Sequence, residues 1–211
     1  KVKDMEMLTY IYTKHQNKGE LTKIDLRFLY EIDDEITGFG YERDPRIEEL
    51  LEGRNVRKDL VLIFDCKEEN ISLTKEEALS GNIIYHYGYL DLSNLTSAEG
   101  LKLPNEIGGD LHLSSLISAE GLELPNKIGG FLNLFSLTSA EGLKLPDKVG
   151  ESLYLNSLTS AEGLKLPDKI GGSIYLTALE SLDGLDLASS LISKMVFSDE
   201  IKNQLKNQKT L

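Results

Sequence analysis

Apolar and polar positions recur from residue 90 onward with a fixed step of 21 residues. Ser-Ala-Glu-Gly-Leu starts at Ser97, Ser118, Ser139 and Ser160, then decays to Ser181-Leu182-Asp183-Gly184-Leu185. Pro104, Pro125, Pro146 and Pro167 keep the same step, as do Gly108, Gly129, Gly150 and Gly171. Laid over one another, the five copies give seven apolar columns: Leu90/Leu111/Leu132/Leu153/Ile174, Leu92/Leu113/Leu134/Leu155/Leu176, Leu95/Leu116/Leu137/Leu158/Leu179, Ala98/Ala119/Ala140/Ala161/Leu182, Leu101/Leu122/Leu143/Leu164/Leu185, Leu103/Leu124/Leu145/Leu166/Leu187 and Ile107/Ile128/Val149/Ile170/Leu191. One copy cannot bury so many side chains, whereas stacked coils seal one another. The pattern predicts a solenoid.

Within each copy Leu-x-Leu, as in Leu153-Tyr154-Leu155, alternates with the period of a strand that has one face inward. Gly-Leu-Lys-Leu-Pro alternates too and predicts a second, shorter extended segment, ended by a proline that cannot donate to a ladder. Glycines between them supply turns at positive φ. Neighbouring coils should pair in parallel about 4.8 Å apart, so five make a spine of about 24 Å. Met195 and Phe197 remain in register, which predicts a sixth strand over Lys194–Ser198. Asp199 then N-caps a final helix to about Lys206, covering the open coil end.

Residues 1–86 do not repeat. Met5, Leu8, Ile11 and Tyr12 form a helical stripe within Val2–Gln16. Thr22 caps a second helix bearing Ile24, Phe28, Leu29 and Ile32, and Asp44-Pro45 opens a third with Ile47, Leu50 and Leu51. Leu60–Phe64 reads as a short buried strand, and Thr74-x-x-Glu77 as a capping box before Ala78 and Leu79.

The repeat columns, Leu-x-Leu-x-x-Leu-x-Ser-Ala-Glu-Gly-Leu-x-Leu-Pro-x-x-Ile-Gly-Gly, resemble bacterial leucine-rich repeats, closest to the BspA-like branch, over about residues 87–198. They lack that branch's Ala-Phe-x-x-Cys segment and the repeat Asn of other leucine-rich repeats. The copies also resemble repeat proteins of candidate-phylum bacteria, which share the Gly38–Asp44 and Leu60–Cys66 regions. The resemblance implies a slab used for protein recognition, without naming a task. The expected architecture is α/β to mainly β. An α-rich mixed capping domain occupies 1–86, a leucine-rich-repeat-like parallel β solenoid of five to six coils 87–198, and a cap helix with tail 199–211.

Charge narrows the partners. Lys plus Arg is 23 and Asp plus Glu 35, a net charge of −12, which disfavours nucleic acid and anionic membranes. No apolar run reaches the roughly 18 residues of a membrane span. Cys66 is the one cysteine, which excludes an internal disulfide framework and fits a reducing, cytoplasmic compartment. The first residue is Lys rather than Met, which leaves room for a removed leader.

Catalytic constellations are scarce. Cys66 and His86 could pair as nucleophile and base, but Cys66 reads as a small core residue. Gly38-Phe39-Gly40 lacks the strand and helix that flank a phosphate loop and reads as a turn. No metal motif stands at ligand spacing, so no cofactor and no metal are expected. Glu99, Glu120, Glu141, Glu162 and Asp183 form an acidic column whose neighbours, about 5 Å apart, repel by about 0.8 kcal/mol in water. Turn amides and Lys102, Lys144 and Lys165 are expected to offset this; a cation ladder is the alternative.

Three columns vary while the scaffold repeats. The residue before the strand is Tyr89, Asp110, Phe131, Ser152 and Ser173; the outward residue between the leucines is Asp91, His112, Asn133, Tyr154 and Tyr175; the residue after is Ser93, Ser114, Phe135, Asn156 and Thr177. Aromatics with a polar rim have the composition of a binding surface. The expected function is therefore a non-catalytic protein-interaction module, monomeric or weakly self-associating. Its expected partner-binding residues are Tyr89, Asp91, Asp110, His112, Phe131, Asn133, Phe135, Tyr154, Asn156 and Tyr175. The alternatives are an enzyme or toxin-like activity in 1–86 with the repeats as targeting arm, and a structural or surface-adhesion component.

Overall fold

The computed structural model describes residues 1–36, 38, 43–185 and 190–208, with the backbone alone for 206–208. Leu187 of the sixth apolar column, and Phe39 and Gly40 of the Gly-Phe-Gly turn, lie outside the described residues. The chain divides into two compact units, Lys1–Ile71 and Ser72–Leu211.

The first unit is helical. α1 (Val2–Gln16) buries Leu8 and Ile11, with Met5 and Tyr12 packed beside them. α2 (Lys23–Leu29) opens on a capping box in which Thr22 Oγ1 accepts from the Asp25 N–H and Asp25 Oδ2 accepts from the Thr22 N–H. Its core residues are Leu26 and Leu29, whereas Ile24, expected on the apolar stripe, is 70% exposed. Ile24 is two residues from Leu26, and helical pitch puts such positions on different faces. α3 (Pro45–Leu51) starts from Asp44, whose Oδ1 accepts from the Arg46 N–H at 3.0 Å.

The expected strand over Leu60–Phe64 is instead the end of a helix, α4 (Val56–Phe64). A short apolar run does not by itself distinguish strand from buried helix. Two local signals decide it: Asn55 Oδ1 accepts from the Lys58 N–H at 3.0 Å, and Leu60 and Ile63 are buried three apart while Leu62 faces water. Asp59, also buried, holds this unit together polarly, accepting from Tyr30 Oη at 2.9 Å and from both Arg54 Nε and Nη2 at 2.6 and 2.8 Å.

β1 (Ile71–Ser72) and α5 (Lys75–Ala78) lead into the second unit. Thr74 Oγ1 accepts from the Glu77 N–H, and Glu77 Oε2 reaches the Leu73 N–H at 2.8 Å, one residue before the cap. α5 packs on the first coil and sends Ala78 into the solenoid core, while Leu79 is partly in water.

The rest winds as a parallel β solenoid. Its strands are β2 (Tyr85–His86), β3 (Leu90–Asp91), β4 (Glu106–Ile107), β5 (Leu111–His112), β6 (Lys127–Ile128), β7 (Leu132–Asn133), β8 (Lys148–Val149), β9 (Leu153–Tyr154), β10 (Lys169–Ile170), β11 (Ile174–Leu176) and β12 (Met195–Phe197). From β2 to β11 they alternate between two sheets, ordered β1-β2-β4-β6-β8-β10 and β12-β11-β9-β7-β5-β3. The register pairs Leu111 with Leu132, Leu132 with Leu153 and Ile174 with Met195, so each step between coils is the 21-residue repeat. Six apolar columns line one continuous core throughout, and Leu103, Leu124, Leu145 and Leu166 pack against it in the sixth. Pro104, Pro125, Pro146 and Pro167 are buried as well.

The second extended segment differs from expectation. Leu101–Leu103 and its equivalents do not join a ladder; the paired residues are the x-Ile steps after the proline. The first leucine's amide is spent on the turn, Leu101 N–H to Ala98 O at 3.0 Å, and laddering resumes past the proline with Asn105 N–H to Ile83 O. The glycines also divide by cause. Gly100, Gly121, Gly142, Gly163 and Gly184 sit at φ of 72° to 80°, the turn role. Gly129, Gly150 and Gly171 are required for another reason: a Cβ there would overlap the carbonyl oxygen of the glycine one coil before.

α6 (Asp199–Gln208) ends the stack, with Ile201 in the core and Leu205 against it. Its cap is Ser198 rather than Asp199, since Ser198 Oγ accepts from the Ile201 N–H and Asp199 already lies in the first turn. Among the described residues no helix is long and apolar enough to cross a membrane.

Candidate functional site

Alternation along β3, β5, β7, β9 and β11 turns one residue outward between two buried aliphatic residues, and register stacks these residues into rows. Asp91 stands opposite His112, His112 opposite Asn133, Asn133 opposite Tyr154, and Tyr154 opposite Tyr175. The residues two before, starting at Tyr89, share that face.

The rings on this face form one connected row. His112 and Phe131 meet edge-on at 4.8 Å between centroids, Phe131 and Tyr154 at 5.7 Å, and Tyr154 stacks flat on Tyr175 at 4.8 Å. Asn133 is the short residue between His112 and Tyr154, and Phe131, two residues earlier on the same strand, leans diagonally into the space. Each such pair contributes about 0.5–1.5 kcal/mol beyond its area. Phe131, Tyr154 and Tyr175 are therefore half-buried against one another. The freely exposed rings are Tyr89, at 69%, and Phe135, at 49%.

The polar members are held by the backbone. Asp91 Oδ1 accepts from the Ser93 N–H at 2.9 Å, Asn133 Oδ1 from the Phe135 N–H at 3.0 Å, and Asp110 Oδ1 from the Phe131 N–H one coil on at 3.0 Å. The Ser93 hydroxyl and amide hold the Asp91 carboxyl below the usual carboxylate range. Asn156 Nδ2 donates to Thr177 Oγ1 at 3.1 Å across the coil step. Of the ten expected residues, Asp91, His112, Asn133, Tyr154 and Tyr175 lie in the strands of one sheet, Tyr89, Asp110 and Phe131 directly before them, and Phe135 and Asn156 in the turns that follow. Asp91 is exposed, and Asp110, His112, Asn133 and Asn156 are half-buried. Sequence reasoning passed over Ile117, 61% exposed at the corner. The signal was present: it is the one apolar residue in the column Thr96/Ile117/Thr138/Thr159/Glu180.

Cys66 and His86 fall in different units. His86 is buried, and its Nε2–H donates to the Tyr89 carbonyl at 3.1 Å, which leaves Nδ1 to accept from Ser72 Oγ at 2.9 Å. Both ring nitrogens are committed. Burial holds this imidazole below its ordinary range, opposed by the Tyr89 carbonyl and by Glu77, and burial with Asp65 nearby pushes the Cys66 thiol up. In the acidic column the ordering bonds run through the serines: Ser97, Ser118, Ser139 and Ser160 Oγ each accept the backbone N–H of the glutamate two residues on. Among the described residues no three His, Cys, Asp or Glu side chains converge as a metal site. Comparison of the chain with known protein families, with curated proteins and with solved structures found no match.

Proposed function

We propose that the chain is a non-catalytic recognition module, built like the BspA-like leucine-rich repeats of bacteria, that reads a protein partner with the outer face of the β3–β11 sheet. The observation that carries this is the continuous ring row His112–Phe131–Tyr154–Tyr175, flanked by exposed Tyr89 and Phe135, on columns that vary while the scaffold around them repeats. Large exposed rings on a rigid sheet lose little conformational entropy on binding and suit hot spots. A single cysteine supports a reducing, cytoplasmic setting.

The test is a pull-down from native lysate with wild type and Tyr89→Ala/Phe135→Ala. The double variant should lose the wild type's partners while its thermal transition falls by only about 3–6 °C, because Tyr89 and Phe135 keep 69% and 49% of their surface in water. Unchanged recovery by the folded double variant refutes the reading.

A further inference from the structure

The variable columns are themselves chemically one-sided, although Lys75 of α5 reaches their edge at Asp91. The three columns hold fifteen positions, of which two, Asp91 and Asp110, are carboxylates and none is Lys or Arg. Lysines are not scarce in the coils: Lys102, Lys144 and Lys165 lie in the Leu-Lys-Leu-Pro segments and Lys127, Lys148 and Lys169 on the other sheet. The last arginine is Arg57, ahead of the solenoid altogether.

The two carboxylates neighbour the most exposed ring, and one cation reaches that end of the face from α5: Lys75 Nζ donates to the Asp91 carbonyl at 2.7 Å, leaving the pair net negative. Leu90 pairs with Leu111, so Tyr89 neighbours Asp110 across the coil step and Asp91 along its own strand. Farther along the sheet the rings are engaged with one another, flat in the Tyr154–Tyr175 stack with an interplanar angle of 2° and edge-on in the other two pairs. Tyr89 is 69% exposed and belongs to none of these ring pairs. A cation is attracted to a ring face, and Arg more than Lys because its planar guanidinium also stacks.

Resting on the recognition reading above, we infer that the segment this face takes is basic: an extended, arginine-bearing stretch of a partner protein, one guanidinium lying on Tyr89 between Asp91 and Asp110. Charge complementarity then steers encounter, and the rings beyond supply apolar contact.

The experiment measures fluorescence anisotropy of labelled octa-arginine, octa-lysine and octa-glutamate with the full chain. Octa-arginine should bind, several-fold tighter than octa-lysine, and octa-glutamate should not. Asp91→Asn/Asp110→Asn, whose amide oxygens can keep accepting the Ser93 and Phe131 N–H groups, should weaken octa-arginine at least tenfold. Tyr89→Leu should abolish the preference for arginine over lysine. Glu141→Gln/Glu162→Gln removes the same charge from the acidic column and should change affinity less than twofold. Equal losses in both charge variants would reveal diffuse attraction to an acidic protein and overturn the inference, as would no binding of octa-arginine. Sedimentation showing a dimer that Phe135→Ala dissociates would also overturn it, a second copy being the occupant. If octa-arginine fails while Tyr89→Ala/Phe135→Ala still loses the native partner, only the charge assignment falls; if that variant keeps every partner, the recognition reading falls with it.

Discussion

Leu134 and Phe135 are adjacent just past β7, one buried and the other half in water, which makes them a sharp test of the solenoid. Leu134 is fully buried in the middle coil, packed in the core cluster between Leu113 and Leu155 of the coils on either side. Leu134→Ala loses the transfer energy of the removed atoms and leaves a cavity that both neighbouring coils line, a cost of about 2.7–5 kcal/mol. Phe135 keeps 49% of its surface in water, so Phe135→Ala should cost only about 1 kcal/mol, half of what full burial of such a ring is worth. Urea melts followed by circular dichroism and by tyrosine fluorescence give both numbers from the shift in midpoint. Coincident probes and an unchanged slope would show that the transition remains cooperative. A Leu134→Asp variant, which buries an unpaired charge, should not fold. Equal losses for Leu134→Ala and Phe135→Ala, or a folded Leu134→Asp protein, would refute the inward assignment of the column.

Gly142→Ala should cost about 1–2 kcal/mol, the price of a left-handed backbone at φ 73° with open space around the new Cβ. Gly150→Ala must push apart two coils and should cost at least about 3 kcal/mol, the top of the overpacking range; urea midpoints rank the two. Because the His86 imidazole titrates lower folded than unfolded, its contribution to stability is complete above the unfolded value of about 6.5 and is lost as pH falls toward the folded one. The urea midpoint of the wild type should therefore drop more steeply between pH 7.5 and 5 than that of His86→Gln; equal slopes would contradict it. Calcium or magnesium should leave the melting temperature unchanged, since a hundredfold excess over Kd would add about 2.7 kcal/mol; an upward shift lost in Glu120→Gln/Glu141→Gln would establish a cation ladder.

Repetition made the solenoid legible in the sequence. Five copies of one register determine which residues point inward, how coils stack and where the sixth strand falls, because each coil meets only its neighbours and the same contacts recur. The three variable columns could be placed on one face by the same arithmetic. Three matters waited for tertiary structure. Leu60–Phe64 carries an apolar run that suits strand or helix, and burial of Leu60 and Ile63 with the Asn55 cap selected the helix. The second ladder formed after each proline rather than before it, because hydrogen-bond donors, not alternation, decide which segments pair. The ring row was not in the columns either: Phe131 belongs to one and His112 and Tyr154 to another, and they meet because Phe131 reaches diagonally to both neighbouring coils beside the shorter Asn133. Periodicity dictates direction for each side chain, but which side chains touch depends on their lengths and on the space the neighbouring coils leave.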